Sequence, residues 1–190
     1  SSFEGMGASR EVHFSALAEG AIFALLAFLS ANSGKLDLNS MLNGSGISAW
    51  NQNTALVLAA VAFFIVLLAE NCRVPFDDPE THLELTMIHE AMILDFSGKD
   101  LAAILYGASV KFWIFASFLV LMLLPHGMFP LPVSVLIYFA GVLFVAVLVG
   151  IVESSMARYR FLKVPPLLTA ALALALVAIF FITFFTGGAR

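Results

Sequence analysis

Between two long apolar runs, Ala69–Asp100 reads AENCRVPFDDPETHLELTMIHEAMILDFSGKD, with eight Asp or Glu and two His. Asp78 suits an N-cap and Pro79 the first helical position, so a helix is expected from Pro79 to about Asp95. Leu83, Met87 and Leu94 would form its apolar stripe. Glu80 and Glu84 stand four apart, which puts both carboxylates on one face, where they repel. Like-charge proximity and partial burial both favour a protonated carboxyl, and one of the pair is therefore suited to carrying a proton. His82 and His89 titrate in the physiological range, and Glu90 adjoins the second. The alternative for the same residues is an amphipathic helix that is acidic because it faces water. A metal site fits poorly. HEAMI begins like H-E-x-x-H but has Ile93 where the second histidine belongs. His82 and His89 would also lie about 10 Å apart along a helix.

Ionisable residues also occur inside the apolar runs. Lys111 lies near the middle of one, where a basic residue costs about 2.5–3.5 kcal/mol on insertion scales. Glu19 lies inside another, and Glu70 and Glu153 close two more. Ionisable groups at such depth are functional candidates that face a cavity or an opposite charge. Snorkelling at a span end is the competing reading for Glu70 and Glu153, and suits Lys111 poorly.

These groups need elements to hold them, and composition says what those are. Of 190 residues, 61% are hydrophobic and 12% charged, against about a quarter charged in soluble domains. So much apolar surface requires the bilayer as solvent, and only helices or closed barrels satisfy the backbone there. The expected fold is an all-α integral membrane protein, a single polytopic domain over 1–190. Its five spans are expected near 14–30, 54–70, 101–124, 131–152 and 165–185, with the loop 71–100 between the second and third. Arg10, Arg73, Lys99, Arg158, Arg160 and Lys163 fall on one side of these spans, and Lys35 and Arg190 on the other. The positive-inside rule then puts the N-terminus in the cytoplasm and the C-terminus outside. Arg158 and Arg160 serve either as anchors of that kind or as a specific contact. One cysteine, Cys72, excludes a disulfide framework and an iron–sulfur cluster held by this chain alone. The net charge of −4 does not suggest nucleic acid. No nucleophile–base pair or nucleotide-binding fingerprint is present, so a self-contained enzyme is not expected.

RVPFDDPETHLEL (Arg73–Leu85) resembles the RVPFDLPEAEAEL pattern of the membrane subunit of respiratory complex I that meets the peripheral arm. Arg10 and Glu19 match an Arg and Glu opening the corresponding helix. DFSG (Asp95–Gly98) is similar to that family's EYSG, and ARYR (Ala157–Arg160) to its PRYR. His82 in place of an acid, Asp95 in place of Glu, and the longer LTMIHEAMILD resemble more closely the homologous subunit of energy-converting [NiFe] hydrogenases of the formate hydrogenlyase and hydrogenase-4 type. The resemblance implies the C-terminal part of an eight-helix fold in the cytoplasmic (inner) membrane. It implies an ion-coupling and docking role between a redox arm and the membrane arm.

Glu19, Glu80, Glu84 and Asp95 match its acidic residues by position. Glu70, His82, His89, Glu90, Lys111 and Glu153 join them as pathway candidates. Arg73, Pro75, Phe76, Asp77, Asp78, Arg158 and Arg160 are candidates for the docking surface. Expected partners are hydrogenase large and small subunits, Fe–S proteins and antiporter-like membrane subunits, with the Ni–Fe centre and Fe–S clusters in those partners. Two alternatives stand beside this: a quinone-site subunit of the complex I branch, and a passive anchor for the peripheral enzyme.

Overall fold

The computed structural model describes residues 2–43, 54–76, 93, 96–124, 129–156 and 164–186. These form helices α1 (Ser2–Ser33), α2 (Leu38–Asn43), α3 (Thr54–Glu70), α4 (Gly98–Leu123), α5 (Leu131–Ser155) and α6 (Val164–Phe181), the last continuing as a π-helical turn, Ile182–Thr186. Four segments are long and apolar enough to cross a membrane: Glu11–Ser33, Gly98–Leu123, Leu131–Ser155 and Val164–Phe184. The fifth apolar helix, α3, has only 17 residues. At 1.5 Å per residue it is about 25 Å long, short of a hydrocarbon core of about 30 Å. Among the described residues the only regular elements are thus helices, four of spanning length and a shorter fifth, as expected of a multi-pass membrane protein. The acidic helix expected near 79–95 lies outside the described residues, Ile93 apart.

The boundaries follow local chemistry. Pro130 caps α5 in an extended conformation and Pro132 stands in its first turn, where a missing N–H costs nothing. Ser97 leads into α4, and Gly98 has φ +61°, a conformation that accounts for the glycine of the DFSG motif. Asp100 in the first turn complements the helix dipole.

The densest packing joins α1, α3 and α6. Ala18 and Ala21 of α1, Ala55, Ala59 and Ala62 of α3, and Ala171, Ala175 and Ala178 of α6 are all buried. In lipid no hydrophobic force drives helices together, so small residues that let backbones approach closely take its place. The α4–α5 hairpin is attached differently. Phe115 and Phe118 of α4 lie against Phe63 of α3, with ring centroids 5.9 and 5.1 Å away. Ser117 and Tyr138 share a 2.6 Å hydrogen bond between α4 and α5. Much of α5, including Leu136, Leu143 and Phe144, faces outward.

Candidate functional site

The last turn of α3 sets the site. The N–H of Arg73 donates to the Leu68 carbonyl (2.9 Å) and that of Cys72 to the Ala69 carbonyl (3.1 Å). Cys72 is left-handed at φ +49°. This is the Schellman termination, with cysteine where glycine is usual. The Leu67 carbonyl accepts twice from Asn71, from its backbone N–H (3.2 Å) and from Nδ2 of its side chain (2.8 Å). The chain then turns through the cis Val74–Pro75 bond, with the Phe76 N–H donating to the Arg73 carbonyl. Val74, Pro75 and Phe76 are buried, so this segment is packed into the helices.

Because α3 is short, its end does not reach the end of α4. Glu70, its last residue, meets Lys111 near the middle of the 26-residue α4, with Oε2 2.8 Å from Nζ. Ser15 of α1 donates to the other oxygen, Oε1, at 3.1 Å. The Glu70 side chain is 8% exposed and that of Lys111 37%. One carboxylate therefore ties three helices at a point that is mid-span for α4. Snorkelling, the competing reading for Glu70, does not describe a side chain turned inward onto a partner.

One step along the chain, Arg73 reaches the far end of α5. Its guanidinium lies 3.3 Å from Oε1 of Glu153 and 5.7 Å from the centre of the Phe112 ring. Both partners are more open here, with side chains 41% and 28% exposed. A cavity of about 460 Å³ lies beside the two pairs, lined among others by Glu11, Glu70, Cys72, Arg73, Lys111 and Phe112. Its size is that of a small-molecule site, roughly 300–1,000 Å³. Ile93, within the acidic stretch, also contributes to the wall.

The structure thus brings Glu70, Arg73, Lys111 and Glu153 into one cluster and seats Pro75 and Phe76 beside it. Glu19 is elsewhere, exposed on the outward face of α1. Asp77, Asp78, Glu80, His82, Glu84, His89, Glu90, Asp95, Arg158 and Arg160 lie outside the described residues. Sequence reasoning missed Ser15, Glu11 and Phe112. Ser15 had a readable signal, since one helical turn separates it from Glu19 within an apolar run.

Residues 1–184 match the NADH dehydrogenase family. The chain belongs to that family. It is also 30% identical over 190 residues to hydrogenase-4 component C of Escherichia coli (strain K12), covering 96% of this chain and 59% of the relative. The chain therefore spans somewhat more than half the length of that relative. The two matches bear out the resemblance to complex I and hydrogenase-4 type membrane subunits carried by RVPFDDPETHLEL, DFSG and ARYR. Gly98 and Arg73, drawn from those motifs, now have structural roles: one opens α4, and the other bridges from the α3 turn to α5.

Proposed function

We propose that this chain is the ion-coupling and docking subunit of a membrane-bound hydrogenase complex. In this reading, redox turnover in a cytoplasmic arm is relayed to proton or sodium movement through buried carboxylates. The observation that carries it is the Glu70–Lys111 pair at the wall of the 460 Å³ cavity. A buried pair of this kind is poor as a stabiliser, because desolvation offsets much of its attraction, and removing one charge strands the other. The same property suits a relay. A proton arriving at the Glu70 carboxylate cancels its charge, frees the Lys111 ammonium toward the cavity, and loosens Ser15. Loss of that proton draws the three groups together again. Pro75 and Phe76 connect Glu70 directly to the acidic stretch that begins at Asp77, which is where an arm would transmit its state.

The orientation read from the basic loops gives a cytoplasmic start and an outer end, in the cytoplasmic membrane. Hydrogenase large and small subunits, Fe–S proteins and antiporter-like membrane subunits are the partners this role requires. The Fe–S clusters and the Ni–Fe centre do not fit the donors of this chain, which has one thiol. No electron-transfer step is assigned to it, and those groups belong to the partners.

The test is Glu70→Gln, which keeps the shape and removes the charge. Complex purified from the variant should evolve H₂ with an artificial dye at the parental rate, while proton uptake by inverted vesicles falls at least tenfold. Glu84→Gln should behave alike. Parental coupling in both variants would overturn the proposal and favour a passive anchor. A second reading has one observation in its favour. Apolar Ile104, Leu105 and Phe112 share the cavity wall with Lys111 and Arg73, a mixed lining suited to a quinone head group. Competitive block of membrane turnover by quinone-site inhibitors, without H₂ evolution, would select it.

A further inference from the structure

The two carboxylate oxygens of Glu70 have different surroundings. Oε2 lies 2.8 Å from the ammonium of Lys111, which lines the large cavity. A proton approaching along that side meets a cation first, and like charges repel. Oε1 accepts the Ser15 hydroxyl at 3.1 Å and, with two lone pairs, can take a second bond. Ser15 and Glu70 also border a second, smaller cavity between α1 and the end of α3, of about 10 Å³. Glu11 joins them as its third polar wall, and Phe14, Ala69 and Phe76 supply apolar ones. All of these walls belong to described residues.

The size and lining of the smaller space suit one water molecule. A cavity needs roughly 10–15 Å³ to hold a water, which also needs two to four polar partners. Two carboxylates and a hydroxyl supply them here. Glu11 reaches the space because Phe14, Ser15 and Ala18 follow it at the spacing that keeps residues on one helix face. It is half-buried, whereas its neighbours Val12 and His13 are exposed. One helical turn, about 6 Å, separates it from Ser15 toward the start of the Glu11–Ser33 span. Glu11 borders the large cavity as well as the small one and so stands between them. We propose that Glu11 is the immediate proton donor and acceptor for Glu70, through one water held by Ser15.

The transfer rests on the proposed coupling role of Glu70 and assigns its ion, which is the proton. The Glu11 carboxyl gives its proton to the water as the water passes one of its own to Oε1 of Glu70. Glu11 is left a carboxylate, the water is unchanged, and Glu70 becomes neutral, which releases Lys111. Glu11 then takes a proton from the large cavity, and reversal of these steps empties Glu70. Ser15 is a positioning residue. Its hydroxyl proton is donated to Glu70, so its oxygen accepts from the water and turns the water's lone pairs toward Glu11. The Lys111 ammonium already occupies the place that a metal cation would take on Oε2.

The experiment compares proton uptake by inverted vesicles with dye-linked H₂ evolution by the full complex, in H₂O and in D₂O. Glu11→Gln should slow uptake roughly tenfold or more while H₂ evolution stays parental, because a positioned proton carrier contributes at least that much. The solvent isotope effect on uptake should rise, since proton delivery then limits the rate. Glu11→Asp keeps a carboxyl on a shorter arm and should restore most of the uptake. Ala69→Val puts two methyl carbons where one water fits, leaves both carboxylates in place, and should slow uptake alone. His13→Gln, on the exposed side of α1, should behave as the parent. Parental uptake in Glu11→Gln would overturn the proposal. An equal loss of uptake and H₂ evolution with an unchanged isotope effect, or coupling that requires sodium, would do the same. If Glu11→Gln does not assemble, Ala69→Val decides: parental uptake overturns the transfer, and slowed uptake with a raised isotope effect supports it. Glu70→Gln separates the transfer from the reading beneath it. Uptake lost in Glu70→Gln but parental in Glu11→Gln removes the transfer and leaves the role of Glu70 standing, whereas parental uptake in both removes both.

Discussion

The α1–α3–α6 group and the α4–α5 hairpin are both apolar and helical, yet they are held by different physics. The first is joined through buried alanines, whose contacts are short-range and uniform. The second is joined to it through Phe63 and its two aromatic partners, and through the charged pairs Glu70–Lys111 and Arg73–Glu153. Packed alanines have one good arrangement. A seam closed by charged groups depends on each charge keeping its partner. The candidate site lies where the alanine-packed bundle meets the hairpin.

The sharpest way to break this comparison is to strip the seam of one charge. Lys111→Met leaves the Glu70 carboxylate without its cation in a site where it is 8% exposed. Unfolding of purified protein in detergent should lose about 3 kcal/mol, the lower part of the range for a broken buried pair, because Lys111 itself is partly open. The double variant Lys111→Met with Glu70→Met should recover most of that loss. If the single variant unfolds like the parent, the seam is not closed by charge.

The opposite side of the comparison is tested by overfilling the alanine contacts. Ala171→Leu inserts bulk where the side chain has no exposure at all, and should cost roughly 2 kcal/mol in the same assay. Inserting bulk on the hairpin should cost less. At Gly141 an added Cβ would lie 2.8 Å from a methyl of the buried Val120, but it is a single added carbon, so Gly141→Ala should cost about 1 kcal/mol. A larger loss at Gly141 than at Ala171 would place the tighter packing in the hairpin and not in the alanine bundle.

This difference was only partly legible in the sequence. The apolar runs announce helices because a bilayer leaves few alternatives, and Lys111 announces itself by its depth. The partner of Lys111 was not legible in the same way. Glu70 stands at the end of its run, where a carboxylate is ordinarily a snorkelling group. The clue was the length of Thr54–Glu70, whose 17 residues are too few to reach the same level as a 26-residue helix. Ser15 is 55 residues from Glu70 in the chain, and no local period connects them. Helices apolar on every side carry no stripe to say which face meets which neighbour, so helix existence could be read and helix pairing could not. Glu19 is the reverse case: its importance was visible from depth, and its outward direction came only with the packing of α1.

The smallest effect should come from the second charged pair, and its smallness is informative. Arg73 and Glu153 are 3.3 Å apart, but their side chains are 41% and 28% exposed, so solvent screens most of the attraction. Glu153→Gln should change stability by less than about 1 kcal/mol. Arg73→Lys should cost little more, since an ammonium keeps the charge while losing part of the guanidinium's fit over Phe112. A double-mutant cycle over Arg73 and Glu153 should therefore give a coupling well below that over Glu70 and Lys111. If the two cycles agree, depth in the membrane does not govern the strength of the seam. If they differ as expected, Glu70–Lys111 is the charged contact that holds the hairpin to the bundle, and Arg73–Glu153 adds little to that hold.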